Sequence, residues 1–188
     1  LGDVYKRQEL HRLVHVLGGE NINYSDGRSG LINPLQIRLN VPESEKDNEK
    51  TPLTEIFPLS EHIRFLRSFF DAYKGNAKED IRLLHDNLIE KALENIYREI
   101  GITYQTSAQM IVDNYKNKDF PIMLDLYNEL YRLLEIANSE KTPNIKEVTR
   151  IKECIAFVEP MACGADASIF NGHTSICLLY TSPSPRDA

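Results

Sequence analysis

The feature that most restricts the fold is a series of apolar stripes at helical spacing between residues 60 and 161. Apolar side chains recur there every three or four positions, as they do on the buried face of an amphipathic helix. Glycine or proline marks each break between stripes, at Gly75, Gly101, Pro121 and Pro143. Loops of this kind favour a bundle-like packing. The predicted helices cover about residues 60–74, 78–100, 121–134 and 143–161.

The sequence also predicts how these helices begin and which face is buried. Ser60 is expected to cap the first helix, and Pro121 is expected in the first turn of the third. The predicted buried stripe of the third helix contains Leu124, Tyr127, Leu130, Tyr131 and Leu134. In the fourth helix, the inward-facing side chains are predicted to be Ile151, Ile155 and Val158.

Shorter segments of α/β character flank the helical region. Residues 9–17 have the pattern of a helix end, and residues 21–24 form a possible strand. Residues 31–37 are expected to be extended, because Pro34 disfavours helix at Asn33. Residues 42–58 form a polar loop, and residues 164–176 are predicted as a turn followed by a strand. The predicted fold class is therefore mostly α: a bundle-like helical insertion subdomain flanked by remnants of an α/β domain.

The two ends of the chain are expected to be foreign to the protein. Codons for residues 177–184 can be written as the reverse complement of codons for residues 1–7, which is a property of DNA adapters rather than of protein ends. Residues 1–8 and 177–188 are therefore predicted to derive from an adapter and are excluded from fold reasoning.

Composition disfavours several function classes. The formal net charge is −6, and no run of Lys or Arg is present, so direct nucleic-acid binding is not predicted. No apolar stretch approaches the length of a transmembrane helix. The three cysteines include Cys177 in the excluded end, and the remaining pair does not form a disulfide framework.

No residue is predicted to be catalytic, cofactor-binding or metal-ligating. The sequence has no G-x-x-x-x-G-K-[ST] loop to cradle phosphates. His11 and His15 share a helix face, but Arg12 stands where zinc proteases have a glutamate. His62 and His85 are expected on solvated helix faces. The remaining candidates lack the spacing of a zinc site, the context of a nucleophile elbow, or the interleaved basic residues of a base-stacking surface. They are Cys154, Cys163, His173, Ser29, Ser60, Ser107, Ser168, Tyr97, Tyr104, Tyr115, Tyr127 and Tyr131.

Five short motifs, taken in order, resemble one family. They are V-L-G-G-E-N-I at 16–22, G-L-I-N-P-L at 30–35, P-L-S-E-H-I-R-F-L at 58–66, L-E-N-I-Y-R-E-I-G-I at 93–102 and G-A-D-A-S-I-F-N-G-H-T at 164–174. Their order and spacing are similar to those of the conjugative-transfer ATPases of type IV secretion systems (the VirB/TraE/TraC type). The similarity extends over residues 9–176.

The resemblance implies a RecA-like P-loop parent of the FtsK/HerA group. That parent would bind ATP and Mg²⁺ and power pilus assembly or substrate transfer from the cytoplasmic face of the membrane. It would form a homo-oligomer and contact other secretion proteins. Its nucleotide-binding motifs, Walker A and Walker B, have no counterpart in this sequence, so the fragment is expected to be inactive alone.

The residue patterns and the resemblance together predict a division of the chain, and a second function stays open. The alternative is a non-enzymatic helical module for protein–protein interaction. The predicted divisions are the adapter-derived ends (1–8 and 177–188), an α/β remnant (9–40), a polar loop (41–59), the helical subdomain (60–163) and a turn or strand approaching Walker B (164–176).

Overall fold

The computed structural model describes residues 30–39, 52–74, 79–140 and 142–175, and for residues 74 and 79–86 it describes the backbone only. Helices dominate these residues, which contain no strand. The predictions for residues 9–29 and 176–188 lie outside the described residues. Single 3-10 turns cover Leu53–Glu55 and Asn117–Asp119. The α-helices are α1 (Leu59–Lys74), α2 (Glu79–Glu99), α3 (Ala108–Asn114), α4 (Met123–Ser139), α5 (Ile145–Ala162) and α6 (Ala167–Phe170).

An antiparallel hairpin of α4 and α5 forms the centre of the fold. Helix α2 packs against both of its arms, α1 packs on α2, and α6 packs on α5. One buried apolar cluster joins these helices, and Leu35 and Ile37 from the segment before them belong to it. Strand-like pieces without sheet partners are expected to be poorly stabilised, which predicts that residues 9–37 are poorly anchored. The burial of Leu35 and Ile37 shows that this prediction is wrong for residues 35–37.

Helix α1 begins one residue earlier than predicted. Its first turn closes on the carbonyl of Pro58, which accepts from the backbone N–H of His62 at 2.9 Å. Ser60 therefore lies inside the first turn and is not the N-cap. Along the helix, Phe70 is buried, whereas Phe69 is only half-buried.

Helix α2 ends at Gly101, as predicted. Gly101 has a φ of 84°, which is costly for a residue with a Cβ atom. The N–H of Ile102 bonds to the carbonyl of Tyr97 at 2.9 Å, and the N–H of Gly101 bonds to that of Arg98 at 3.0 Å. This pair of bonds is a Schellman motif, and the residues at the two positions that commonly make its apolar contact, Tyr97 and Ile102, are fully buried.

Helix α4 differs from its prediction in start and in orientation. It begins at Met123, with Asp125 accepting from the N–H of Ile122 at 2.8 Å, so Pro121 precedes the helix. Of the predicted stripe only Leu130 is buried, while Leu124 and Tyr131 are exposed. The true inward face lies about a quarter-turn round the helix. Its members are Met123, Leu126, Glu129, Leu130, Leu133 and Ala137.

Helix α5 follows the prediction, whereas α3 was not predicted at all. Asn144 caps α5, and the inward side chains Ile151, Ile155 and Val158 are buried. Helix α3 is a short helix whose N-cap, Ser107, accepts from the N–H of Met110 at 3.4 Å.

The two segments predicted to be extended or strand-like take other forms. Residues 33–36 make a turn closed by a bond of 3.3 Å from the N–H of Gln36 to the carbonyl of Asn33. Proline favours the second position of such turns, which Pro34 occupies. Ser168, Ile169 and Phe170 lie in the single helical turn α6 rather than in a strand.

Candidate functional site

Two motifs that lie far apart in the sequence meet at one end of the helical hairpin. The N–H of Ile32 donates to the carbonyl of Ile169 at 2.8 Å, and the N–H of Ser175 donates to that of Leu31 at 3.1 Å. The hydroxyl of Ser175 accepts from the N–H of Leu31 at 3.2 Å. We call residues 31–37 the incoming segment and this meeting place the junction. The junction joins the motif at residues 30–35 to the motif at residues 164–174.

Asn33 is the polar centre of the junction. It is 1% exposed. Its Oδ1 accepts from the N–H of Leu35 at 3.0 Å, its Nδ2 donates to the carbonyl of Pro121 at 2.8 Å, and its N–H donates to the hydroxyl of Thr174 at 3.1 Å. Because a buried amide must satisfy both ends of its side chain, these partners fix the orientation of Asn33. One residue thus ties three separate chain segments together.

A second group of polar contacts holds the incoming segment against α1 and α2. The carbonyl of Leu35 accepts from the hydroxyl of Tyr97 at 2.5 Å. The ring of His62 lies edge-on to that of Tyr97, with centroids 6.0 Å apart, and stacks on Phe65. His62 is only 8% exposed, so the prediction of a solvated face is wrong for it.

The environment of His62 keeps its ring neutral. Burial lowers the pKa of His62 to about 4, the charge of Arg38 acts in the same direction, and a hydrogen bond with the backbone of Leu35 opposes both. Within the described part of the chain, Nε2 of this ring has no hydrogen-bond partner. The ring therefore acts as packing for the incoming segment rather than as a proton carrier near neutral pH.

A third set of contacts fastens the fifth motif to α1. The hydroxyl of Tyr73 donates to Asp166, and burial together with this bond raises the pKa of Tyr73 to about 12. The ring of Phe170 meets those of Phe69 and Tyr73 edge-on, with centroids 5.4 and 6.2 Å apart. Asn171 then accepts from the N–H of Leu124 at the start of α4, at 3.0 Å.

A cleft of about 600 Å³ opens beside the junction, between α2, α4 and the loop before α4. Its most buried charge is Glu129, which is 5% exposed. Arg132 binds this carboxylate through two bonds of 2.6 and 2.7 Å, and Asn95 adds a third of 2.6 Å. Burial opposes ionisation of Glu129, but these bonds outweigh it and hold its pKa below the usual value.

Two further carboxylates of the cleft accept hydrogen bonds from the backbone. Asp119 accepts from the N–H of Lys116 at 2.7 Å, and Asp125 caps α4. The described lining of the cleft thus includes one carboxylate paired with an arginine and two that bond to the backbone, and no nucleophile with an adjacent base. We assign no reaction to it.

The histidine and cysteine candidates are not brought together. His11 and His15 lie outside the described residues, as does Ser29, and of His85 only the helical backbone is described. Cys154 is buried, whereas Cys163 is exposed. Among the residues that the structure describes, no group of His, Cys, Asp or Glu could hold a metal ion.

The serine and tyrosine candidates are used locally. Ser60 is in the first turn of α1, Ser107 caps α3, and Ser168 lies on the exposed side of α6. Tyr97 is buried and Tyr115 bonds to the carbonyl of Ile100, while Tyr104 bonds to Glu94 and Tyr127 to Tyr131. These rings do not form one surface for stacking bases.

The fold is shared with a solved protein. It resembles the structure of VirB4 of Thermoanaerobacter pseudethanolicus with a TM-score of 0.62 and 26% sequence identity, over 88% of this chain and 36% of that chain. The fold is VirB4-like. The predicted fold class, a helical subdomain of a protein of this type, is confirmed. The sequence matches no family model and no curated protein.

The VirB4 similarity gives the junction its context. This chain corresponds to about a third of the VirB4 chain, as the coverage of 36% shows. Among residues 30–175, apart from the stretches left undescribed, no helix has both the length and the apolar composition needed to cross a bilayer. The junction was the part of the site that sequence reasoning missed. Only the polar residues within its two motifs, Asn33 and Thr174, gave a signal for it.

Proposed function

We propose that this chain is the helical part of an ATP-driven motor that powers a type IV secretion system, through pilus assembly or substrate transfer. The observation that carries the proposal is the VirB4-like fold, shared at 26% identity over 88% of the chain. A helical fold alone would not support a function, because one fold serves many activities. The identity over nearly the whole chain adds support that shape alone lacks.

The junction supports the same proposal from a different direction. The two motifs that carry the sequence resemblance at residues 30–35 and 164–174 are in direct contact, through Asn33 and Thr174 among others. Motifs retained for local helix formation would have no reason to bond to each other across 141 positions of sequence. A shared structural role at the edge of a larger domain accounts for both the pattern and the contact.

The chemistry of the proposed motor would reside outside this chain. We assign ATP and Mg²⁺ to the parent and no catalytic, cofactor-binding or metal-binding residue to the fragment. Phosphoryl transfer needs a phosphate cradle and a bound metal ion, and the sequence has no P-loop to supply the cradle. The role of this part is therefore mechanical or organisational.

The proposal extends to partners and location. The parent would assemble with copies of itself and with other secretion proteins, at the cytoplasmic face of the membrane. The acidic chain, with a formal net charge of −6, is poorly suited to binding anionic lipid or nucleic acid directly. We therefore expect protein contacts to hold it in place.

The decisive experiment is to sequence the DNA on both sides of this segment in its source and to express the whole reading frame. We expect a G-x-x-x-x-G-K-[ST] loop upstream, an acidic strand downstream and Mg²⁺-dependent ATP hydrolysis by the product. Changing the loop lysine to alanine is the control and should abolish turnover. A complete frame without these motifs would instead favour the non-enzymatic helical module.

The isolated chain provides a second prediction. We expect no ATP hydrolysis by residues 1–188 in a phosphate-release assay with Mg²⁺, because the residues that bind phosphates and metal are missing. Turnover that co-purifies with the chain through successive columns would contradict this. The full reading frame, assayed beside it, is the positive control.

A further inference from the structure

Residues 164–175, which we call the strap, lie over the end of the bundle without entering it. No residue of the strap is buried, although six of its side chains are half-buried, among them Phe170 and Asn171. The incoming segment beneath it behaves differently, since Leu35 is fully buried and Ile37 is 4% exposed. The strap is therefore a surface layer, whereas the end of the incoming segment is part of the core.

Few contacts fasten the strap to the helices. Tyr73 holds its start through Asp166, the rings of Phe69 and Tyr73 hold Phe170, and Asn171 bonds to Leu124 at the start of α4. Its other hydrogen bonds are made within the strap, to residues 31–33, or to Glu159 and Pro160 at the end of α5. Segments with few buried apolar contacts and exposed backbone bonds are the ones that open locally while the rest stays folded.

The first turn of the strap gives it a defined hinge. A Cβ atom built on Gly164 would lie 2.7 Å from the Cα of Pro160, which is too close for any side chain to be tolerated without a shift. The N–H of Gly164 bonds to the carbonyl of Glu159 at 2.9 Å, and that of Asp166 bonds to Pro160 at 3.0 Å. The reversal at Gly164 is thus set by the end of α5, and beyond it the N–H bond of Asp166 and the packing of α6 also hold the strap to α5.

We propose that the strap is a latch: it detaches from α1, α4, the end of α5 and residues 31–33 as one unit about the hinge at Gly164, while helices α1–α5 stay folded. The Tyr73–Asp166 bond is the catch. Opening uncovers the half-buried rings of Phe69 and Tyr73 and the side chain of Leu31, which lies over Gly172. This device follows from the contacts alone and does not depend on the proposed secretion motor.

Native-state hydrogen exchange on the full chain, followed by NMR at increasing urea, tests the latch. The reporter amides, which we call the strap amides, are those of Ile32, Asn33 and Ser175, each of which donates a hydrogen bond between residues 31–33 and the strap. We expect these amides to exchange through a local opening whose free energy depends little on the urea concentration. Amides in the middle of α4 and α5 should exchange only through global unfolding, with a steep urea dependence.

Two variants act on the catch, and one serves as a control. Tyr73→Phe removes only the hydroxyl, and Asp166→Asn removes the charge, so each should speed exchange of the strap amides by about 10- to 100-fold. Exchange in α4 and α5 should change by less than about threefold. Tyr104→Phe removes a matched tyrosine–carboxylate bond to Glu94 outside the strap, and it should leave the strap amides unchanged.

The outcomes separate a latch from an ordinary structural contact. Strap amides that share the urea dependence and free energy of the α4 and α5 amides would show a single cooperative unit and overturn the proposal. Equal acceleration of strap and core amides in Tyr73→Phe would overturn it as well. Strap amides with no protection at all would show that the strap is not latched.

Discussion

His62 is buried although its neighbours in the sequence are charged. Charged residues flank it, at Glu61 and Arg64, which is why a solvated position was predicted. The ring instead fills space between α1, Tyr97 and the backbone of Leu35. Proximity in sequence to charge is thus a poor guide to burial on a helix, where the neighbouring positions point in other directions.

The buried ring of His62 should make the protein sensitive to acid. Its pKa falls from 6.5 to about 4 on folding, so the folded state binds fewer protons in that interval. The contribution is fully present above pH 6.5 and is lost as pH falls towards 4, by about 3 kcal/mol in total. Urea unfolding at pH 7 and pH 4.5 should therefore show a larger loss of stability in the wild type than in His62→Asn.

The control for this experiment is His173→Asn, which replaces an exposed histidine. It should retain the acid sensitivity of the wild type. Equal losses between pH 7 and pH 4.5 in the wild type and in His62→Asn would mean that the ring is not responsible.

At the scale of the element, the residues at a helix end determine where the helix stops. Gly101 closes α2 because its φ of 84° suits glycine, and an added Cβ would lie 3.1 Å from the hydroxyl oxygen of Tyr115. We expect Gly101→Ala to lower the free energy of unfolding by about 1–2 kcal/mol. Gly101→Asn should cost less, because asparagine tolerates this conformation better. Urea denaturation measures both, and an Ala variant as stable as the wild type would contradict the explanation.

The elements also show what sequence could and could not predict. The helices α1 and α5 and the described side chains of α2 follow from apolar spacing, because their buried apolar residues share one face. Helix α4 has two apolar faces. The face that was predicted to be buried contains Leu124 and Tyr131, which are 36% and 43% exposed. Only the packing against α2 and α5 decides between the faces, so spacing alone could not resolve them.

The junction lay further beyond the reach of sequence. The polar residues of its motifs could be recognised, but the bond between Asn33 and Thr174 spans 141 positions. The carbonyl of Pro121, which completes the site, belongs to a loop with no motif of its own. Contacts of this range are set by the whole fold. The resemblance of the motifs to a known family named the fold class correctly, although it did not show that they touch.

At the scale of the whole molecule, the incoming segment is part of the same folding unit as the helices. Leu35 is fully buried in the common cluster, so Leu35→Ala should lower the free energy of unfolding by about 2–5 kcal/mol. Leu124→Ala, at an exposed position of α4, is the matched control and should cost less than about 1 kcal/mol. Similar costs for the two variants would place the incoming segment outside the core. Chemical denaturation monitored by circular dichroism is suitable for the comparison.

The pairing of Leu31 with Ser175 has a mechanical consequence. Among the described residues, Leu31 and Ser175 form the outermost pair of the junction, and the contacts with Ile169 and Thr174 lie deeper. A force that separates the two segments would load these bonds one after another, as in a zipper, rather than all at once in shear. The junction would therefore open in steps before the α4–α5 hairpin bears the load.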